Sequence, residues 1–229
     1  MFEFVGPRIN PIGGSCPYQC TYCWSRRFVQ RFNIKRYKGE PDLRLNVFKK
    51  HPWNDIRFVG TMRDLFSPEI SDKWIRTCWS LSEENKGVDL YLTKNPQRYV
   101  DLIEKPEFTD FFSSDHILFG ATIESNRDYP GLSKAPTQSK RLEAMIKLRE
   151  KVGIMQPLFI SVEPILDFDL DIFAEKLAEI RPYAVALGFD NYGCSLPEPT
   201  YEKTLRLLEH LEQSCHVYRK TLREAWNQK

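Results

Sequence analysis

At 229 residues, with 41% hydrophobic and 28% charged residues, the chain is long enough to bury a sizeable core and short for two, so it is read as one domain over residues 1–229. No apolar run reaches the roughly 18 residues that cross a bilayer, and Met1-Phe2-Glu3-Phe4 lacks the basic-then-apolar order of a secretory signal; the expectation is a cytoplasmic protein with no membrane partner. The net charge of +2 excludes little, but no Asp or Glu occurs from Phe4 to Gly39, where seven Arg and Lys residues stand, whereas Glu163 to Glu179 carries six acids against Lys176 alone.

In chain order, a first strand is placed at Arg8 to Ile12, ahead of a cysteine-bearing loop. Ile56 to Gly60 reads as a second strand, and Ser71 as the N-cap of the helix after it. Val88 to Leu92 is a third; Asn95-Pro96 then opens a helix, proline suiting a first helical position. Ile117 to Ile123 is a fourth, followed by a helix that Thr137 or Ser139 starts and Gly153 stops. Leu158 to Val162 precedes a helix over Asp169 to Ile180, and Tyr183 to Leu187 precedes one over Thr200 to Leu211. The apolar runs mostly lack strict alternation, as strands covered on both faces do. Strand and helix alternate throughout, which predicts an α/β fold with a parallel sheet: a partial barrel of six strand-helix units, with a doubly wound open sheet as the competing architecture. There is no internal repeat, low-complexity tract or linker.

Three of the six cysteines, Cys16, Cys20 and Cys23, fall in Gly13-Gly14-Ser15-Cys16-Pro17-Tyr18-Gln19-Cys20-Thr21-Tyr22-Cys23-Trp24. Pro17 disfavours helical backbone at Cys16, and Gly13-Gly14 favours a flexible turn, so the thiols are placed on a loop rather than on one helix face. Three thiolates suit soft metal, either zinc or an iron-sulfur cluster. Structural zinc takes four ligands, and the next candidates, His51 and Cys78, lie far along the chain; a four-iron cluster held by three cysteines keeps one corner open for chemistry. His51, His116, His210 and His216 form no ligand pattern.

The Cys-x3-Cys-x2-Cys spacing, with aromatic Tyr22 before the third cysteine and a strand ahead of it, resembles the signature of the radical S-adenosylmethionine (SAM) superfamily. The resemblance implies a partial barrel of six units and a [4Fe-4S] cluster on Cys16, Cys20 and Cys23 whose unique iron chelates SAM. Reductive cleavage then gives methionine and a 5′-deoxyadenosyl radical that abstracts a substrate hydrogen, with flavodoxin or ferredoxin as low-potential electron donor. Tyr22 falls near the adenine. The superfamily's Gly-Gly-Glu-like motif after the second strand is replaced here by Gly60-Thr61, so contact with the SAM amino group falls to backbone or to the Thr61 hydroxyl. Glu124 and Ser125, at the end of the fourth strand, match positions of polar contacts to SAM, a salt bridge from Glu124 to Arg127 being the other reading. Lys94 is a candidate partner of the methionine carboxylate, or else a solvated lysine. The blocks Phe58 to Phe66, Tyr91 to Arg98, Phe119 to Asn126 and Ser161 to Leu166 resemble a phage-linked family of radical SAM-like proteins of unassigned function. A weaker likeness to spore photoproduct lyase-type enzymes is confined to the cluster and fold.

Cys194, after the sixth strand, is a candidate hydrogen-atom donor or an inert loop cysteine; Cys78 reads as helix core, and Cys215 lies near the end of the last helix. Arg26 to Lys38 interleaves cations with aromatics, which reads either as a nucleic-acid groove or as an amphipathic helix with Phe28 and Phe32 packed inward. The short tail after the last helix leaves closure of the barrel to a large substrate or a partner protein. The alternatives to a radical enzyme are an iron-sulfur redox sensor or scaffold, and a zinc-containing nucleic-acid-binding module.

Overall fold

The apolar runs form the strands of one parallel sheet in the computed structural model, which describes residues 5–50, 55–84 and 86–226. Met1 to Phe4 and His51 lie outside the described residues. The strands are β1 (Arg8–Ile9), β2 (Ile56–Val59), β3 (Val88–Thr93), β4 (Ile117–Thr122), β5 (Leu158–Val162), β6 (Ala184–Leu187) and β7 (His216–Arg219). The helices are α1 (Trp24–Arg31), α2 (Asn46–Lys50), α3 (Asp72–Glu83), α4 (Gln97–Ile103), α5 (Gln138–Val152), α6 (Leu170–Ile180) and α7 (Tyr201–Glu212). None of the described helices is long and apolar enough to cross a membrane.

Each strand pairs in parallel with its sequence neighbours, in the order β1 to β7. An order that never reverses has no switch point, which excludes the doubly wound sheet. β1 and β7 do not pair among the described residues, so the barrel is incomplete. Two sequence expectations change. The first strand is shorter than Arg8 to Ile12, because Ile12 instead bridges to Leu43. The tail after α7 returns to the sheet as β7 beside β6, making seven strands rather than six.

The expected helix boundaries hold with small shifts. Ser71 Oγ accepts the Trp74 N–H at 3.4 Å, and Thr200 Oγ1 accepts that of Lys203 at 3.0 Å, satisfying donors that a first turn leaves orphaned. Pro96 stands one residue before α4, and Gly153 ends α5 with a φ of +68°.

Strand residues alternate between two apolar layers. Phe119, Ala121, Ile160, Val162, Val185 and Leu187 face the helices in the main core, whereas Leu90, Leu118, Phe159, Ala184 and Ala186 fill the barrel interior. A Cβ at Gly120 would stand 3.1 Å from both Leu92 Cδ1 and the Phe159 carbonyl oxygen, so the interior packs onto bare backbone there. Following the inward series toward the strand ends, Leu118 and Gly120 lead to Thr122, and Phe159 leads to Ser161 and Glu163. The barrel is thus apolar at its base and polar at its mouth, where parallel α/β barrels place their chemistry.

On the helix side, register partners Arg57 and Asp89 form a buried two-pronged ion pair with both N–H···O distances 2.7 Å. Ser82 of α3 adds its hydroxyl to Asp89 at 2.5 Å. Removing one partner strands a buried charge, whereas replacing both by apolar groups does not. Asp89→Ala is therefore expected to lower the unfolding free energy by about 3–5 kcal/mol in urea titrations, and Arg57→Met/Asp89→Leu to recover most of that loss.

Candidate functional site

The cysteine segment is shaped by the chain packed against it. Gly13, Gly14 and Ser15 donate their N–H groups to the carbonyls of Asp42, Arg36 and Gly39 at 2.8–2.9 Å. A Cβ on Gly14 would fall 2.3 Å from the Glu40 carbonyl oxygen, and its φ is +79°. The diglycine is thus a close-contact strip rather than a loose turn. Gln19 turns through a φ of +47°, and Cys23 becomes the N-cap of α1, its Sγ accepting the Arg26 N–H at 3.4 Å. Cys16, Cys20 and Cys23 therefore lie on an irregular loop, as expected, with free thiols.

All three cysteines line a cavity of about 390 Å³ at the barrel mouth. Its apolar wall includes Phe58, Leu92 and Phe189, and its polar wall includes Thr61, Lys94, Glu163 and Asp190. Burial, with help from Asp64, pushes the Cys16 thiol up to about 11, against the backbone N–H groups of Asp64 and Tyr18. Burial also raises Cys23, opposed by the Arg26 N–H. Cys20 Sγ lies 3.2 Å from Ser133 Oγ. Burial keeps the Cys16 and Cys23 thiols protonated; a bound metal would remove the proton.

Three soft sulfur donors on one cavity are a donor set that an iron-sulfur cluster can use. Among the described residues, no group of three or more His, Cys, Asp or Glu side chains converges as around one metal ion. Tyr18, 4% exposed in the same wall, has a hydroxyl with no hydrogen-bond partner. Burial holds its proton on, leaving a donor that waits for a ligand.

Beneath the cavity, Glu124 is fully buried at the end of β4. One carboxylate oxygen accepts from the Tyr22 hydroxyl and from Lys94 Nζ, and the other stands 2.8 Å from Arg141 Nη1. Lys94 Nζ also donates to the Tyr22 hydroxyl at 3.0 Å. Burial alone would raise the Glu124 carboxyl, but Arg141, Lys94 and the Tyr22 hydroxyl outweigh it and hold it at about 2. Burial and the Glu124 charge raise Tyr22, which stays a neutral phenol.

Tyr22, Gly60, Thr61 and Lys94 are brought together on the cavity wall with the cysteines. Gly60 has a φ of +83°, and the Thr61 hydroxyl donates to Asn10 Oδ1 at 3.1 Å. Glu124 acts from below through Lys94 and Tyr22. Ser125 is engaged elsewhere, its hydroxyl donating to the Asp167 carbonyl at 2.6 Å and accepting the Arg127 N–H at 3.0 Å. Arg127 does not pair with Glu124; it binds Asp167 and Asp169. Lys94 is not a solvated lysine either, its side chain being 16% exposed. Cys194 Sγ sits between Arg27 Nη2 at 3.1 Å and Asp190 Oδ1 at 3.5 Å, and burial raises it to about 11; at this loop Asp190, Asn191 and Tyr192 line the cavity. Cys78 is buried in α3, and Cys215 precedes β7.

Sequence reasoning missed Asn10, which orders the Gly60-Thr61 turn by also accepting the Met62 N–H at 2.9 Å. It also missed roles for Asp64 and Glu163. Asp64 accepts the Thr93 hydroxyl at 2.8 Å and the Lys94 N–H at 2.7 Å, while burial raises its carboxyl. Burial likewise raises Glu163 in the cavity wall. Glu163 directly follows a predicted strand, which was the one available signal, whereas Asp64 lies four residues past one.

No family model matches the chain, and no curated protein matches its sequence. Solved structures share its fold. SuiB of Streptococcus suis bound to S-adenosylmethionine superposes on 95% of this chain with a TM-score of 0.55 at 9% identity, the match covering 51% of SuiB. Native anSMEcpe with bound AdoMet and the Kp18Cys peptide superposes on 92% with a TM-score of 0.53 at 10% identity, covering 62% of that protein. The chain thus spans between half and two thirds of the length of these neighbours.

Because the Glu124 carboxyl is held below its unfolded value of 4.5, its contribution to stability is complete above about pH 4.5 and is lost as the pH falls toward about 2. Glu124→Gln is expected to cost about 3–5 kcal/mol near pH 7, by stranding Arg141 and Lys94, with the gap to wild type narrowing below pH 4.5. Urea titrations at several pH values measure both.

Proposed function

We propose that this chain is a radical SAM enzyme that holds a [4Fe-4S] cluster on Cys16, Cys20 and Cys23 and SAM in the adjoining cavity. The observation that carries this reading is the shared cavity: three free thiols on one irregular loop open onto the polar mouth of an incomplete parallel barrel, a fold shared with two SAM-bound proteins. When bound, the cluster supplies the electron that splits the SAM sulfonium into methionine and a 5′-deoxyadenosyl radical able to take a hydrogen atom from a substrate.

The chain's own residues bind and orient. An ammonium has three N–H donors, and Lys94 directs two of them at Glu124 and the Tyr22 hydroxyl, which leaves one for the carboxylate of methionine. The Thr61 hydroxyl gives its proton to Asn10, so its lone pairs are the free side and suit an ammonium donor such as the SAM amino group. Gly60 brings bare backbone to the wall beside it. Tyr22 would wall the adenine, its ring held in place through its bonded hydroxyl. Phe58, Leu92 and Phe189 give the cavity an apolar lining that excludes water. Cys194 is a positioning partner of Arg27 in this state, and serves as hydrogen-atom donor only where that contact opens. A low-potential donor such as flavodoxin or ferredoxin supplies the electron, and a large substrate or partner protein covers the open side of the barrel.

Anaerobic iron-sulfide reconstitution, electron paramagnetic resonance of the reduced protein with and without SAM, and an assay for 5′-deoxyadenosine test this reading. A cubane signal that shifts on adding SAM, with deoxyadenosine formed and both effects lost in Cys20→Ala, is the expected result. A cluster indifferent to SAM would leave the sensor or scaffold reading, and no cluster would remove the proposal.

A further inference from the structure

The helix that Cys23 caps presents its aromatic side to solvent. Only Ser25 and Val29 of α1 are buried, and Ser25 ties the helix to the barrel mouth by donating to the Met62 carbonyl at 3.0 Å. Phe28 is 43% exposed and Phe32 56%, which corrects the expectation that they pack inward. Trp24, Phe28 and Phe32 follow one another at one-turn spacing, with ring centroids 6.3 and 4.7 Å apart. The helix stops at Arg31 rather than running on to Lys38, and Asn33 turns the chain through a φ of +47°.

Exposed aromatic rings in a row mark a surface that receives something flat or apolar. The charges around them say what it carries. Arg26, Arg27 and Arg31 lie on the same helix, and none of them pairs with a carboxylate among the described residues. Arg31 leans over the Phe32 ring at 5.4 Å, and Arg27 over the ring of Tyr192 at 5.6 Å. Tyr192 and Trp24 also line the cavity, so this face runs into the candidate site.

We infer that the α1 face binds single-stranded nucleic acid and, resting on the reading above, that an unpaired strand is the substrate class. Phosphates would meet Arg26, Arg27 and Arg31, bases would stack on Phe28 and Phe32, and a neighbouring nucleotide would reach the cavity past Trp24 and Tyr192. An acidic protein surface would match the cations but leave the ring ladder without flat partners. A duplex keeps its base faces stacked on one another and unavailable to the rings. A single strand answers both features at once.

The test is fluorescence anisotropy on the full chain, prepared anaerobically, with a labelled single strand of about 12 nucleotides, in DNA and RNA form, across a salt series. Arg26→Gln/Arg31→Gln is expected to weaken binding at least about tenfold at low salt and to reduce the salt slope by about 1.4. Phe28→Ser and Phe32→Ser are each expected to weaken it about tenfold with the slope unchanged. Absence of saturable binding at low salt would overturn the inference. So would variants that bind as wild type does, or a duplex, polyglutamate or anionic vesicles that bind as tightly as the strand. The two readings fail separately: deoxyadenosine formation without strand binding removes this surface alone, and strand binding by a protein that cannot cleave SAM keeps the surface and removes the radical chemistry.

Discussion

A carboxylate cut off from water needs its charge met inside the protein, and Glu124 has it met from three directions. Arg141 reaches it from α5, Lys94 from the end of β3, and Tyr22 from the cysteine loop. In a low-dielectric interior such a group is stable only while every partner stays in place. The arrangement therefore fixes more than itself. It joins the cysteine loop to the barrel, so the three thiols inherit the rigidity of the strands although their own segment has no regular structure. An apolar contact of the same area would hold the loop with less directional precision, since packing alone tolerates sliding that a hydrogen-bonded charge does not.

Lys94 shows how this rigidity reaches the cavity. Its backbone N–H is held by Asp64, and its ammonium by Glu124 and Tyr22, so both ends of a flexible side chain are anchored. Asp64 also touches the cysteine loop, because its own backbone N–H acts on the Cys16 sulfur. Hydrogen bonds to a ligating sulfur are among the levers that set a cluster's potential. The end of β2 thus contributes Gly60 and Thr61 to one wall and steadies a thiol and an ammonium on others. The change from apolar to polar residues along the barrel interior has the same logic, since polar groups cluster where a ligand or water can satisfy them and are absent where nothing could.

Fold and site differ in how far they were legible in the sequence. Five of the strands stand out as short, mostly apolar runs, two of them broken by Arg57 and Asp89, because a sheet sandwiched between barrel interior and helices needs mostly apolar residues on both faces. His216-Val217-Tyr218-Arg219 carries no such run; as an edge strand it is covered less, and its polar ends hid it among tail residues. The cysteines were legible because spacing and chemistry agree within one short segment. The partners of Glu124 were not. Arg127 is near in sequence, but spacing of three brings side chains together only on a helix, and this stretch is a turn that sends Arg127 to Asp167 and Asp169. Arg141 lies on a later helix that only the tertiary fold brings underneath. On α1 the periodicity of Phe28 and Phe32 showed that they share a face, but not which face; Ser25 and Val29 take the inside because their small side chains let the helix lie close to the barrel mouth.

Cys23 connects the cavity to the aromatic face of α1. It lines the cavity and it caps α1, so the group that would be altered by metal ligation is also the first hydrogen-bond acceptor of the helix. An isolated helix of eight residues is marginal in water, and α1 buries just two of its side chains. Two contacts hold it in place: the Cys23 cap at its start and the Ser25 hydroxyl donating to the Met62 carbonyl at 3.0 Å. The cysteine loop and the aromatic face of α1 are in this sense one element, joined at Cys23.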